Sequence, residues 1–340
     1  MSPHHSPPLE EGQRWVNSFR TLVIRTIHPR PLLQRRGALI LSPVLFGAIA
    51  TATIIQGTQF QLESKDGPII GRNADHYSAT LVGETYHFEG TGKPVEIVRP
   101  AQGITLSAEQ VTADIQSPNI VKTGTFVGQA KMVSDSKMAD EYLTKLGKPV
   151  PPRTTNTHTE VTSERFDYTG TVESGTLVSP GPITLTSDSA GQKTVTKKLK
   201  AGDLTGPESS TQQTKIEGTK GTVTIDPRPT TPDKRRLQKG DLDGPGKIHL
   251  TRSVQGPGDT KATVSVADGS ADHVTFDFTG ENRTVTATGR VVLTNNDGIY
   301  QQTMNADRAV ITLDADLKVT KIETFGEPAT NRLHKIGGRR

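Results

Sequence analysis

The residues of this chain that could do chemistry are nine histidines, many serines, and carboxylates placed in short hairpins. Imidazoles at ligand spacing would hold a metal ion. A serine, a histidine and an aspartate in reach of one another would hydrolyse an acyl bond. Neither pattern is present. The histidines stand singly apart from His4-His5, and there is no H-E-x-x-H and no G-x-S-x-G. Glu96, Asp277, Asp307 and Asp316 fall in hairpins, where a carboxylate is expected to face solvent or shape a turn. A nucleotide would need G-x-x-x-x-G-K-[ST] to cradle its phosphates; "GPGKIH" and "LGKPV" lack the spacing and the hydroxyl. The expectation is a protein that is not an enzyme, binds no metal and uses no cofactor. A hydrolase assembled from scattered loop residues is the distant alternative.

Composition points to the elements behind these residues. Of 340 residues, 32% are hydrophobic and 4% aromatic, which is lean for one thick core and suits a thin all-β structure. Residues 1–36 form a basic tail with Arg14, Arg20, Arg25, Arg30, Arg35 and Arg36 against Glu10 and Glu11. They account for the whole net charge of +4, and the remaining basic and acidic residues balance. No basic face with interleaved aromatics is visible, so no nucleic-acid partner is expected. Residues 327–340 read as a second, solvated basic tail.

Residues 37–57 carry no charge. As a helix rising about 1.5 Å per residue, a run of this length crosses a hydrocarbon layer of roughly 30 Å. Leu39, Ile40, Leu41, Val44, Leu45, Phe46, Ile49, Ile54 and Ile55 would face lipid. The flanking arginines would keep residues 1–36 in the cytoplasm and send the rest across the membrane. A cleaved signal peptide ending at Ala50–Ala52 is the competing reading. With no cysteine, no disulfide can hold the exported part together.

The exported part is expected to be antiparallel β, because short runs alternate apolar and polar residues between Gly, Pro, Asn and Asp turns. Val95 and Ile97 share a face, as do Ile104 and Leu106, Ile183 and Leu185, Phe276 and Phe278, Val291 and Leu293, and Ile311 and Leu313. Asn296-Asp297-Gly298 can supply the positive φ angles of a tight hairpin. A loose repeat, "x-F-x-G" then a polar turn then "V-x-ϕ-x", recurs in "HFEGTGKPVEIV", "TFVGQAKMV", "DYTGTVESGTLV" and "DFTGENRTVTATGRVVL". Stacked β units that bury their faces on their neighbours follow from such repetition. The expected regions are a first β region over 63–133, a helical or loop insert over 134–160, and further β repeats over 161–326. Stretches 196–215 and 226–246 are expected to be long polar loops. In the insert, Met138, Tyr142, Leu143 and Leu146 share a helical face, with a Ser/Asp cap before them and Gly147 after.

An apolar stripe of this kind has two uses: the closed core of a sandwich, or a groove that shelters acyl chains. The stretch "VVLTNNDGIYQQTMNADRAVITLDADLKVTKIETFGEP" resembles the organic-solvent-tolerance (OstA-type) β repeat of the LptA and LptC lipopolysaccharide-transport family. The matching residues are Val291 and Leu293, then Ala306, Asp307, Ala309, Ile311 and Leu313, then Val319, Ile322 and Gly326. Gly90, Val95, Ile97, Leu106, Ala108 and Val111 look like a second, weaker copy. An anchor followed by such repeats is similar to the LptC layout. The chain is longer, and it carries a cytoplasmic tail with Trp15.

The resemblance implies a periplasmic β-jellyroll, or β-taco, holding the acyl chains of lipopolysaccharide or a related glycolipid. Val95, Ile97, Ile104, Leu106, Ile183, Leu185, Phe276, Phe278, Val291, Leu293, Ile311 and Leu313 would line the groove. The implied partners are an inner-membrane ABC transporter complex, which supplies the energy, and a periplasmic bridge protein of the same fold joined by edge-strand pairing. The alternative is a membrane-anchored structural or adhesive β protein with a closed core.

Overall fold

The structure is a computed structural model. It describes residues 54–57, 59–63, 67–116, 120–150, 155–199, 202–228, 236–314, 319–326 and 330–335. These residues are all-β apart from one short helix, and every strand pairing is antiparallel. The sheet begins with β1 (Ile54–Gly57), β2 (Phe60–Leu62), β3 (Ile69–Val82), β4 (Thr85–Arg99), β5 (Ile104–Gln116) and β6 (Ile120–Asp135). After the helix α1 (Ser136–Lys145) come β7 (Thr155–Gly170), β8 (Gly175–Ser179), β9 (Ile183–Leu199), β10 (Gly202–Gly218) and β11 (Lys220–Ile225). It ends with β12 (Leu237–Gln255), β13 (Thr263–Asp277), β14 (Arg283–Asn296), β15 (Tyr300–Leu313), β16 (Val319–Phe325) and β17 (Thr330–Lys335).

The chain meanders, each strand pairing with its sequence neighbours. In four places two strands lie end to end and share one long neighbour. β1 and β2 share β3, β8 and β9 share β7, β10 and β11 share β12, and β16 and β17 share β15.

Most long strands change register near their middle. The shifts lie between Arg72 and Ala74, Ser107 and Gln110, Val127 and Ala130, Asp243 and Gly246, Ser270 and His273, and Thr288 and Val291. A bulge bends its strand and increases the local twist. Aligned across neighbours, these bulges crease the sheet into two leaves. The first leaf carries Ile97, Leu106, Met132, Val161, Leu185, Ile216 and Ile248. The second carries Phe88, Phe126, Phe166, Leu177, Val223, Leu242 and Val274. Their inner faces form one apolar cluster. Phe60 of the first leaf meets Phe88 of the second with ring centroids 4.8 Å apart.

The crease has its own chemistry. Gly128, Gly289 and Gly326 adopt φ of 80°, 71° and 112°, a region open chiefly to glycine. A Cβ on them would lie 2.7, 2.6 and 2.4 Å from carboxylate oxygens of Glu109, Asp272 and Asp307. Each acid follows an alanine on the preceding strand (Ala108, Ala271, Ala306), so an Ala-acid pair facing a glycine occurs on β5, β13 and β15. Gln129 donates to Glu109 at 3.2 Å, and Arg290 donates to both oxygens of Asp272 at 2.5–3.1 Å.

Two sequence expectations differ from the structure. The stretches 196–215 and 226–246, expected as loops, hold long parts of β9, β10 and β12. β9 and β10 pair without interruption from Ile183–Gly218 to Leu199–Gly202. They are strands despite their polarity because cross-strand partners such as Lys193 with Glu208 (3.4 Å) and Thr196 with Thr205 (2.9 Å) replace apolar burial. In the expected anchor, Ile54 and Ile55 belong to β1, where they pair with Thr80 and Ala79 and occupy backbone groups of β3. Leu39, Ile40, Leu41, Val44, Leu45, Phe46 and Ile49 lie outside the described residues. Among the described residues no helix is long and apolar enough to cross a membrane.

The helix in the insert is capped by Asp135, whose carboxylate accepts from the Lys137 N–H at 2.9 Å. Gly147 follows its end at φ 66°. Ala139 and Ser136 are its buried residues, whereas Met138, Tyr142 and Leu143 are half-buried and Leu146 is exposed. The close pack of Ala139 on Gly103 seats α1 over the β4–β5 turn.

Candidate functional site

Each of the groove candidates is buried in the shared cluster. Val95 and Ile97 are 0% exposed, and Ile104, Leu106, Ile183, Leu185, Phe276, Val291, Leu293, Ile311 and Leu313 are 1–5% exposed. Phe278, at 8%, lies at the tip of the second leaf, stacked on Phe276 at 4.9 Å. In this form the interior is packed, because large side chains from both leaves, Phe88, Phe126, Phe166 and Met132 among them, fill it.

Packing loosens toward the C-terminal end. There an apolar pocket of about 30 Å³ lies between the leaves. Leu250, Leu293 and Met304 bound it from the first leaf, and Ile311, Val319 and Ile322 from the second. Leu250, Val319 and Ile322 are only partly buried. Leu293 and Ile311 are the sequence-derived candidates that reach this pocket.

Along the N-terminal half the mouth between the leaf tips is tied shut by Arg236, 5% exposed. Its guanidinium donates to the carbonyls of Asp226 (2.6 Å) and Arg228 (2.7 Å) at the tip of the second leaf. It also donates to Ser134 Oγ (2.8 Å) and to the Gln102 carbonyl at the tip of the first leaf. Arg228 grips both carboxylate oxygens of Asp226, and that pairing outweighs burial to hold the Asp226 carboxyl below its usual range. Arg99 lies close by on the inner register of Val95 and Ile97, and burial raises the neighbouring Tyr168 hydroxyl above its ordinary pKa. Period-two alternation from Val95 marks Arg99 as inward-facing. No sequence signal marks Arg236, which stands in a polar, proline-rich run.

Beyond the apolar floor, the first leaf turns polar. Met132, Val161, Leu185, Ile216 and Ile248 lie side by side across β6, β7, β9, β10 and β12. The next inward row toward the mouth reads Ser134, Thr159, Ser187, Thr214 and Leu250. The row after that reads Thr157, Ser189, Gln212 and Arg252.

On the outer face, histidines sit directly opposite aspartates. His87 Nδ1 is 2.8 Å from Asp114, His249 Nδ1 is 2.6 Å from Asp268, and His273 Nδ1 is 3.1 Å from Asp243. Hydrogen bonding to Asp114 and then Glu89 raises the His87 pKa, and the same contact lowers that of Asp114. Asp241, Asp243 and His273 bring possible ligand atoms within 4.8 Å of one another. They already satisfy each other, with His273 Nε2 3.4 Å from Asp241 and Lys220 2.9 Å from Asp243. Glu96 is paired with Arg72 at 2.5 Å. Asp277 closes its own turn onto Thr279, which brings its pKa to about 2. Asp307 faces Gly326 in the crease, and Asp316 lies outside the described residues.

Comparison with protein-family models, with curated proteins and with solved structures finds no match to this chain.

Proposed function

We propose that the chain is a lipid-sheltering component of an export bridge for lipopolysaccharide or a related glycolipid, anchored in the inner membrane with its sheet in the periplasm. In this reading the creased sheet is an OstA-like β-jellyroll, or taco. One observation carries it: a single antiparallel meander folded along a line of bulges, with one continuous apolar cluster between its leaves. Transfer of an acyl chain onto such a face is favourable by about 0.8 kcal/mol per methylene. The cargo must part the leaves, and the C-terminal end is where parting disrupts least packing. No further strand covers β16 or β17 among the described residues, so a bridge protein of the same fold can extend the sheet there. An ABC transporter complex of the inner membrane supplies the energy.

A photo-crosslinker at Leu250 or Ile322, which face inward, is expected to capture glycolipid from cells, and one at outward Lys247 is not. Crosslinks to protein alone from every inward position would overturn the lipid reading. The second reading, a structural or adhesive β protein with a closed core, is favoured by the packed Phe126 and Phe166 and by the Arg236 tie. It predicts that outcome.

A further inference from the structure

The step from apolar floor to polar rows on the first leaf carries a ligand site of its own. Thr159, Ser134, Thr214 and Gln212 are 2%, 4%, 8% and 7% exposed, so these polar groups are buried. Two of the hydroxyls answer each other, Thr159 and Ser187 at 3.3 Å. The Gln212 amide N–H donates to Thr214 Oγ1 at 3.4 Å. The Gln212 carbonyl oxygen, by contrast, is buried with no hydrogen-bond partner. Buried acceptors in folded proteins are nearly always satisfied, and an exception calls for an explanation.

Gln212 faces Arg252 across the β10–β12 ladder and Ser189 across the β9–β10 ladder. Residues opposite each other on one face have Cβ atoms roughly 5 Å apart. A group placed there must donate to the Gln212 oxygen and accept from the guanidinium. A hydroxyl does both, and neighbouring hydroxyls on a sugar ring would meet Ser187, Ser189 and Thr214 as well.

We propose that this shelf seats the saccharide headgroup of an amphiphile whose chains lie on the apolar floor beside it. The inference rests on the lipid-sheltering reading and adds a specificity site to it. The row of hydroxyls fixes how deep the amphiphile enters, because acyl carbon beyond Leu185 and Ile216 would lie against buried polar groups without pairing them.

Calorimetric titration of the full chain with dodecyl maltoside and with a polyoxyethylene dodecyl ether separates the two ideas, since the chains match and only one headgroup offers a sugar. The maltoside is expected to bind about tenfold tighter, the worth of one or two net hydrogen bonds. Gln212→Leu should abolish that preference and leave binding of the ether unchanged. This variant removes an unpaired acceptor, so it should fold as the wild type does. Ser189→Val, at a half-buried position, should weaken the maltoside alone. Equal binding of both amphiphiles, or a preference that survives both substitutions, would overturn the shelf while leaving the lipid reading in place. Binding of neither would overturn both.

Discussion

His87 shows how a single outer-face residue ties stability to pH. Its imidazole bridges Asp114 and Glu89, and those contacts raise its pKa above the ordinary value of 6.5. The protonated ring therefore stabilises the fold fully below the unfolded value, and that contribution fades as pH rises through the higher folded value. Asp114 has the opposite sign: its lowered pKa contributes above the usual carboxylate range, and the contribution is lost as pH falls. The pair should help most between the two ordinary values. The melting temperature of the wild type should drop from mildly acidic to mildly basic pH, and His87→Gln should flatten that slope. An unchanged slope in the variant would remove His87 from the account. The pairing was not legible in the sequence, because His87 and Asp114 are 27 residues apart and only register joins them. The inward residues were legible, since Val95 with Ile97 and Ile311 with Leu313 alternate within a strand.

Among the elements, the β11–β12 connection does more than join two strands. Arg236 at its end holds the two leaf tips together across the mouth. Arg236→Met leaves several buried acceptors unpaired, each costing on the order of 1–3 kcal/mol. The chain has no cysteine, so a thiol introduced by Leu177→Cys, at a position that is 0% exposed, reports on opening. Maleimide should label it faster in the Arg236→Met background, alongside a lower urea midpoint. Equal labelling would mean that the leaves stay shut without the tie. Strand length is the part of the element plan that the sequence hid. β9 and β10 run on through Lys, Thr, Ser and Gln because hydrogen bonds to their neighbours continue after the apolar floor has ended. A reading based on alternation stops where that floor stops. α1 was legible because capping is local: Asp135 and Gly147 mark its limits within the segment itself.

At the scale of the whole molecule, the seventeen strands of the described residues, four pairs of them end to end, make thirteen rungs. At about 4.8 Å per rung the sheet extends roughly 60 Å along the crease. The crease itself was half legible. Its glycines and Ala-Asp pairs are visible in the sequence, and the apolar and small-residue spacing read there includes Ala306, Asp307 and Gly326. The role of these residues in folding the sheet in two emerges only when Gly326 is set against Asp307.

Pairing confined to sequence neighbours makes chain length an adjustable quantity. β12 and β15 run antiparallel, and the end of one and the start of the other lie at the same leaf tip. Excision of residues 256–296 would let Gln255 lead into the Asp297 turn and β12 zip directly onto β15. The shortened chain should still melt cooperatively by circular dichroism, and loss of its β signal would refute this. A protein assembled in this way can grow or shrink by whole hairpins, keeping one cross-section throughout.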